Sequence, residues 1–193
     1  MIAVSPAVSY LPGTAHPLSA EVGIIRAGDR TWLYDVGDDP RTVPLLPPAD
    51  VVVLSHFHRD HTGNLPLLSP QTVYVSCETQ RHVGTGVVVA QELYLDDLHL
   101  FPLPSSHCRG CLGLEVTETY AFVGDALYGK GRDGCVVFNV QLLQAQIAVL
   151  RRLRAPYLLV SHREGMIRSR REVLEELENL YDLRQPDCPE ILI

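Results

Sequence analysis

The segment Ser55-His56-Phe57-His58-Arg59-Asp60-His61 places three histidines and one aspartate within a few residues. Neutral imidazole and carboxylate are donors that suit zinc or iron, and a catalytic metal needs three or four of them with one position left open. A lone histidine is more often an ordinary hydrogen-bonding side chain. A His-x-His-x-Asp-His cluster is the pattern of a metal site. His56 and His58 are two apart, so in an extended segment both leave the same side, while Asp60 and His61 turn away in a second direction. One loop can thus serve two neighbouring metals.

The elements that must hold this loop are readable around it. Val51 to Leu54 is a wholly apolar run that follows Pro47-Pro48-Ala49-Asp50, so it reads as a buried strand. The histidines then fall at its C-terminal end, where α/β sheets place chemistry. Upstream, Glu21 to Ala27 and Thr31 to Val36 form a hairpin around Gly28-Asp29-Arg30 and lead to Asp35, which either orients a ligand or caps its own turn. Residues 38–50 are proline-rich yet apolar, a loop or short helix packed on the domain. Residues 63–68 read as a short helix and Thr72 to Ser76 as a strand. Residues 77–99 carry no clear pattern, and Gly84-Thr85-Gly86 is too sparse in glycine for a phosphate cradle. Leu98 to Leu103 is a strand running into His107. Leu112 to Thr117 and Tyr120 to Val123 form a hairpin that delivers Asp125, and residues 129–134 are a glycine-containing loop. Asn139 to Leu153 is an amphipathic helix with Asn139 as its N-cap. Tyr157 to Val160 is a strand that presents His162. Ser169 to Tyr181 is a last helix with a Ser169/Glu172 capping box.

His-x-His-x-Asp-His after a buried strand resembles the metallo-β-lactamase superfamily of metallohydrolases. The resemblance extends to His107 after a strand, Asp125 in a Gly-Asp turn and His162 after a late strand, in the same order. It implies an α/β fold, an αββα four-layer sandwich of two mixed β-sheets flanked by helices. It also implies two zinc ions, with iron or manganese as alternatives. His56, His58 and His107 would hold one metal and Asp60, His61 and His162 the other, with Asp125 between them. Asp60 and Asp125 are the carboxylates it assigns to catalysis. The reaction implied is attack of a metal-bridging hydroxide on a small ester, thioester, lactone or phosphoester. Spacing is most like the glyoxalase II-type hydrolases, though the stretch after His162 has room for only one helix of their C-terminal helical region. In such enzymes basic residues after the Gly-Asp turn contact an anionic substrate, which points to Lys130 and Arg132. Cys108-Arg109-Gly110-Cys111 departs from the family pattern. Such a pair is a redox dithiol, half a zinc knuckle, or simply two small side chains. The resemblance also admits a mononuclear iron enzyme of the persulfide dioxygenase type, with His56, His107 and Asp125 as ligands. A non-catalytic metal-binding module is the third reading, disfavoured by the filled ligand set.

The chain has 193 residues, enough for one domain over 1–193, with 46% hydrophobic and 20% charged residues. Its net charge of −7 argues against a nucleic-acid partner, and Arg151, Arg152 and Arg154 read as a solvated helix face. No apolar stretch of about eighteen residues suggests a membrane span. Five irregularly spaced cysteines without an export signal point to a reduced, cytoplasmic setting, and a homo-oligomer is left open. His16, His82 and His99 match no ligand position.

Overall fold

Val51, Val52 and Val53 are each at most 2% exposed, which a strand reaches only when both its faces are covered. Val51 and Val53 point into one apolar cluster with Ile25, Trp32 and Tyr34. Val52 points the other way, with Ile24, Leu33, Val36 and Leu54. The computed structural model describes all residues from Met1 to Ile193, and shows what lies on each side.

Val51–Val53 belongs to a seven-stranded sheet in the order Ile2–Ala3, Val8–Leu11, Val22–Ala27, Arg30–Tyr34, Val51–Val53, Thr72–Val75, Val87–Val88. Pairing is antiparallel up to Arg30–Tyr34 and parallel beyond it. A six-stranded sheet follows in the order Leu93–Leu95, Leu98–Leu103, Cys111–Val116, Tyr120–Gly124, Tyr157–Val160, Ile167–Ser169. Here only Tyr120–Gly124 and Tyr157–Val160 run parallel. The inner faces meet through Trp32, Tyr34, Val51 and Val53 on one side and Leu98, Leu100, Leu114 and Phe122 on the other. Helices Val140–Arg152 and Arg170–Asp182 cover the outer face of the six-stranded sheet through Leu143, Ile147, Leu150, Val173 and Leu177. The outer face of the seven-stranded sheet is covered by Leu46, Leu65, Leu68 and Val83. The result is the expected αββα sandwich. No helix is long and apolar enough to cross a membrane.

Several local expectations change. Ala27 pairs with Arg30, so the first hairpin turns on Gly28-Asp29 alone, with Gly28 at φ +57°. Asp60 and His61 stand on a helical turn, Arg59–Thr62, rather than on open loop. Residues 63–68 contain only the short 3-10 turn Leu65–Leu67. Cys77–Val83 is a helix whose N-cap is Ser76, and Gly84 at φ +75° ends it. The glycine loop at 129–134 is instead a hairpin, Lys130–Arg132 against Cys135–Asn139, and the tail adds Glu190–Leu192 as a third strand. Asn139 caps its helix through the Leu142 amide. Ser169 holds the N-cap position without a side-chain bond, so no capping box forms. The Arg170 amide donates instead to the Pro156 carbonyl at 2.9 Å. Arg151, Arg152 and Arg154 pair with Glu178, Glu92 and Glu118, as a solvated charged face should.

Close packing inside the sandwich generates a stability test. A Cβ on Gly113 would collide with the buried ring of Phe101. Gly113→Ala should therefore destabilise by about 1–3 kcal/mol in urea unfolding. Gly131→Ala, where a Cβ meets open space, should stay within about 0.5 kcal/mol.

Candidate metal centre

The parallel pairs Arg30–Tyr34 with Val51–Val53 and Tyr120–Gly124 with Tyr157–Val160 end at one edge of the sandwich, and there the sheets are stitched together. Tyr34 Oη donates to the Leu112 carbonyl at 2.7 Å, and the Leu112 amide donates to the Ser55 carbonyl at 2.8 Å. Gly124 closes the approach: it has φ +52°, and a Cβ there would lie 2.8 Å from the Ser55 side chain. Asp35, Ser55, Asp125 and His162 all lie just past strands of these two pairs.

Asp35 is fully buried, with a left-handed backbone at φ +59°. Its Oδ1 accepts from the Ser55 amide at 2.7 Å, and its Oδ2 accepts from Ser55 Oγ at 2.7 Å and from His61 Nδ1 at 2.8 Å. Of the two readings of this residue the orienting one holds: its carboxylate bonds Ser55 and His61 across 20 and 26 residues, and not its own turn. A carboxylate only accepts, so His61 carries its proton on Nδ1 and aims Nε2 into the site. Ser55 gives its hydroxyl proton to Asp35 and so accepts from His56 Nδ1 at 2.9 Å. His56 Nε2 is then a lone-pair acceptor. It is buried without a partner, and so is Asp125 Oδ1. Two buried acceptors facing no donor mark a place where a cation fits.

The remaining donors converge on these. Asp125 Oδ2 lies 3.4 Å from the Nε2 atoms of both His61 and His107, and 3.7 Å from that of His162. His58 Nδ1 faces His107 Nε2 at 3.0 Å. His162 Nε2 lies 3.0 Å from Asp60 Oδ2 and 3.3 Å from His61 Nε2. Three sets of donor atoms lie within 4.8 Å of one another: His56, His107 and Asp125; Asp60, His61, Asp125 and His162; His56, His58 and Cys108. All seven side chains expected from the sequence meet here. His162 reaches the site at φ +58°, with its amide held by Glu21 Oε2 at 2.9 Å.

Electrostatics divide the centre. Burial drives His56 far below the ordinary histidine range, reinforced by the neighbouring histidines. Burial also lowers His58 and His107. These three stay neutral, as metal ligation requires. Burial pulls His61 down too, but Asp35 and Asp125 outweigh it and hold it well above its usual value. The Asp60 hydrogen bond raises His162. Burial pushes Asp60 up, yet His162 and His61 bring it net below the usual carboxylate value.

Lys130 and Arg132 lie on the exposed hairpin strand Lys130–Arg132. Arg132 Nη1 and Nη2 donate to the Glu190 carboxylate at 3.0 and 2.5 Å, while Lys130 has no ion pair. Three supporting residues were not assigned a role from the sequence: Ser55, Glu21 and Tyr128. Tyr128 stands 6.3 Å from His107 between ring centroids and donates to the Ser161 carbonyl at 2.7 Å. Its only sequence signal is proximity to Asp125. A cavity of about 550 Å³ lies elsewhere. It borders His99 and Glu115, whose carboxylate is bound to His99 at 3.1 Å and to the Arg154 and Ala155 amides, a structural tie.

No family model and no curated protein sequence matches the chain. Solved structures do. The metallo-β-lactamase FIM-1 from Pseudomonas aeruginosa, in its mono-zinc form, superposes with TM-score 0.71 over 94% of this chain and 93% of its own, at 20% identity. The fold is that of the metallo-β-lactamase superfamily. A superfamily protein from the archaeon Sulfolobus tokodaii superposes with TM-score 0.61 over 95% of this chain and 90% of its own, at 18% identity. The chemotaxis sensor ODP, described as a peroxy diiron species, gives 0.68 over 92% and 94%, at 16% identity. The metallo-β-lactamase fold is thus matched by both zinc and diiron proteins, and the donors at this centre suit either metal.

The raised histidines set a pH dependence for protein stripped of metal. Their folded values lie above the ordinary 6.5, so the stability they contribute is complete below that pH and is lost as pH rises through the raised values. Melting temperatures of chelator-treated protein should therefore fall as the pH is raised above about 6.5. Asp35→Asn should flatten that fall and weaken zinc binding by about 10–100-fold. A melting temperature that climbs with pH would contradict this account.

Proposed function

We propose that the chain is a binuclear metal-dependent hydrolase of a small ester, thioester, lactone or phosphoester. The observation that carries this reading is the pair of buried, donorless acceptors, His56 Nε2 and Asp125 Oδ1, within a ring of imidazoles and carboxylates. His56, His58 and His107 would hold one metal, and Asp60, His61 and His162 the other, with Asp125 contributing to both. Divalent metals there supply Lewis acidity and a water acidic enough to attack at neutral pH. The chain's part is to hold the donors. Asp35 fixes the His61 tautomer and, through Ser55, that of His56. Asp60 holds the proton of His162 until a ligand replaces it.

Zinc is the metal this reading takes, with iron or manganese as alternatives for the same donors. The diiron neighbour favours one second reading, an iron oxidoreductase such as a persulfide dioxygenase with His56, His107 and Asp125 as ligands. Elemental analysis separates the two. About two zinc ions per chain, with turnover in a panel of thioesters, lactones and phosphodiesters, is the expected result. About one iron, with oxygen consumption on persulfides, overturns it.

His58→Ala should lose at least one metal and about 10²–10³-fold or more of the hydrolytic rate, with the fold retained by circular dichroism. Wild-type turnover by that variant would sink the ligand assignment. We place an anionic substrate group against Lys130 and Arg132. Arg132 is already engaged by Glu190, which leaves Lys130 the stronger contact. Lys130→Ala should raise KM about tenfold with kcat little changed.

A further inference from the structure

We propose that Cys108 and Cys111 are a redox-active dithiol at the edge of the metal centre, and that closing it to a disulfide weakens metal binding on the His56–His58 side. The dithiol stands on its own geometry, and its coupling to the centre rests on the metal reading above.

The two sulfurs lie 3.5 Å apart. No other pair among the five cysteines comes within bonding range. Cys111 is buried at the start of strand Cys111–Val116 and anchored there by its pairing with Leu103. Cys108 is half-buried on the turn before it. That turn is clamped in place. Gly110 has φ +74°, and a Cβ there would lie 2.6 Å from Ser76 Oγ and 2.8 Å from Glu78 Cβ. The turn is therefore pressed onto the start of helix Cys77–Val83, and the fold itself holds the sulfurs together. A disulfide needs about 2.05 Å between sulfurs, so closure asks for a shift of about 1.5 Å, which a half-buried side chain can supply.

The second observation ties this pair to the centre. The Cys108 sulfur and one ring nitrogen each of His56 and His58 lie within 4.8 Å of one another. The reduced Cys108 sulfur is a soft donor beside two imidazoles. A disulfide sulfur has no charge to donate and is drawn toward Cys111 instead.

The oxidant is a low-molecular-weight disulfide, RSSR. Cys108, the accessible sulfur, attacks it, forms Cys108–S–S–R and releases one RSH. The Cys111 sulfur then attacks the Cys108 sulfur and expels the second RSH. Two protein S–H bonds and one RS–SR bond break, and one protein S–S bond and two RSH form. Two electrons and two protons pass to the small disulfide, and a reducing dithiol reverses the exchange.

The sequence offers a direct assay. Arg109 lies between the two cysteines, so trypsin separates His82–Arg109 from Gly110–Lys130, each with one cysteine. Cys77, Cys135 and Cys188 fall in other tryptic peptides. The full chain is equilibrated with glutathione disulfide or with dithiothreitol, its free thiols are alkylated, and the digest is read by mass spectrometry. We expect the two peptides to stay joined after glutathione disulfide and to separate after dithiothreitol. Zinc affinity, read by competition with a chromophoric chelator, should fall about tenfold or more on oxidation and recover on reduction. In Cys108→Ser, glutathione disulfide should leave zinc affinity unchanged. Separate peptides after oxidation, alkylated or capped by glutathione, overturn the dithiol. Joined peptides with undiminished zinc affinity overturn its coupling to the centre. Reduced protein that takes up no zinc overturns the metal reading and the coupling with it, while the joined peptide still decides the dithiol.

Discussion

A carboxylate sealed from water costs several kcal/mol unless every oxygen finds a donor, and Asp35 is such a group at the meeting point of two strand ends. Its donors are the Ser55 amide, the Ser55 hydroxyl and His61 Nδ1. The polarity of the whole centre follows from that. Because Asp35 can only accept, the hydroxyl of Ser55 must point at it, His56 must donate to Ser55, and both histidines must turn their free nitrogens the other way. One buried anion thus sets two tautomers. Its left-handed backbone, a conformation that costs about 1 kcal/mol or more outside glycine, is tolerated because these bonds over-determine it.

The same logic explains why the centre is split in charge. His61 and His162 face carboxylates and hold protons there, whereas His56, His58 and His107 face one another in a buried place and stay neutral. Asp125, in reach of His61, His107 and His162, belongs to both halves. A cation held by His56 and Asp125 would satisfy the two donorless acceptors, and the carboxylates of the acidic half offer further donors to it. That is why the arrangement is better suited to metal than to a proton network, in which two imidazole nitrogens 3.0 Å apart share one hydrogen.

None of this would assemble without the close approach of the sheets. Gly124, with no Cβ, lets Ser55 rest against the end of the opposite sheet, and Tyr34 and Leu112 complete the seam. Gly110 does the same for the cysteine turn against the helix Cys77–Val83. Rigid strands carry the donors to one edge, and short turns aim them. The metallo-β-lactamase fold hosts more than one metal chemistry on this plan, since the strands set where donors meet and the ion sets what they do.

The sequence by itself determined the donor types, their order and most of the strands and helices that carry them. Val51–Val53, Leu98–Leu103 and Val140–Arg152 were legible because apolar periodicity reports how a segment is buried, and burial is what selects the element. The strands Val87–Val88, Leu93–Leu95, Lys130–Arg132 and Glu190–Leu192 were not, because strands of two or three residues exist only through their partners. The same holds within the centre. His61 finds Asp35 across 26 residues, His107 finds His58 across 49, and His162 finds Asp60 across 102. Local spacing names such residues. Which atoms face each other is decided by sheet register and by the contact between sheets, and these arise only when the whole chain packs.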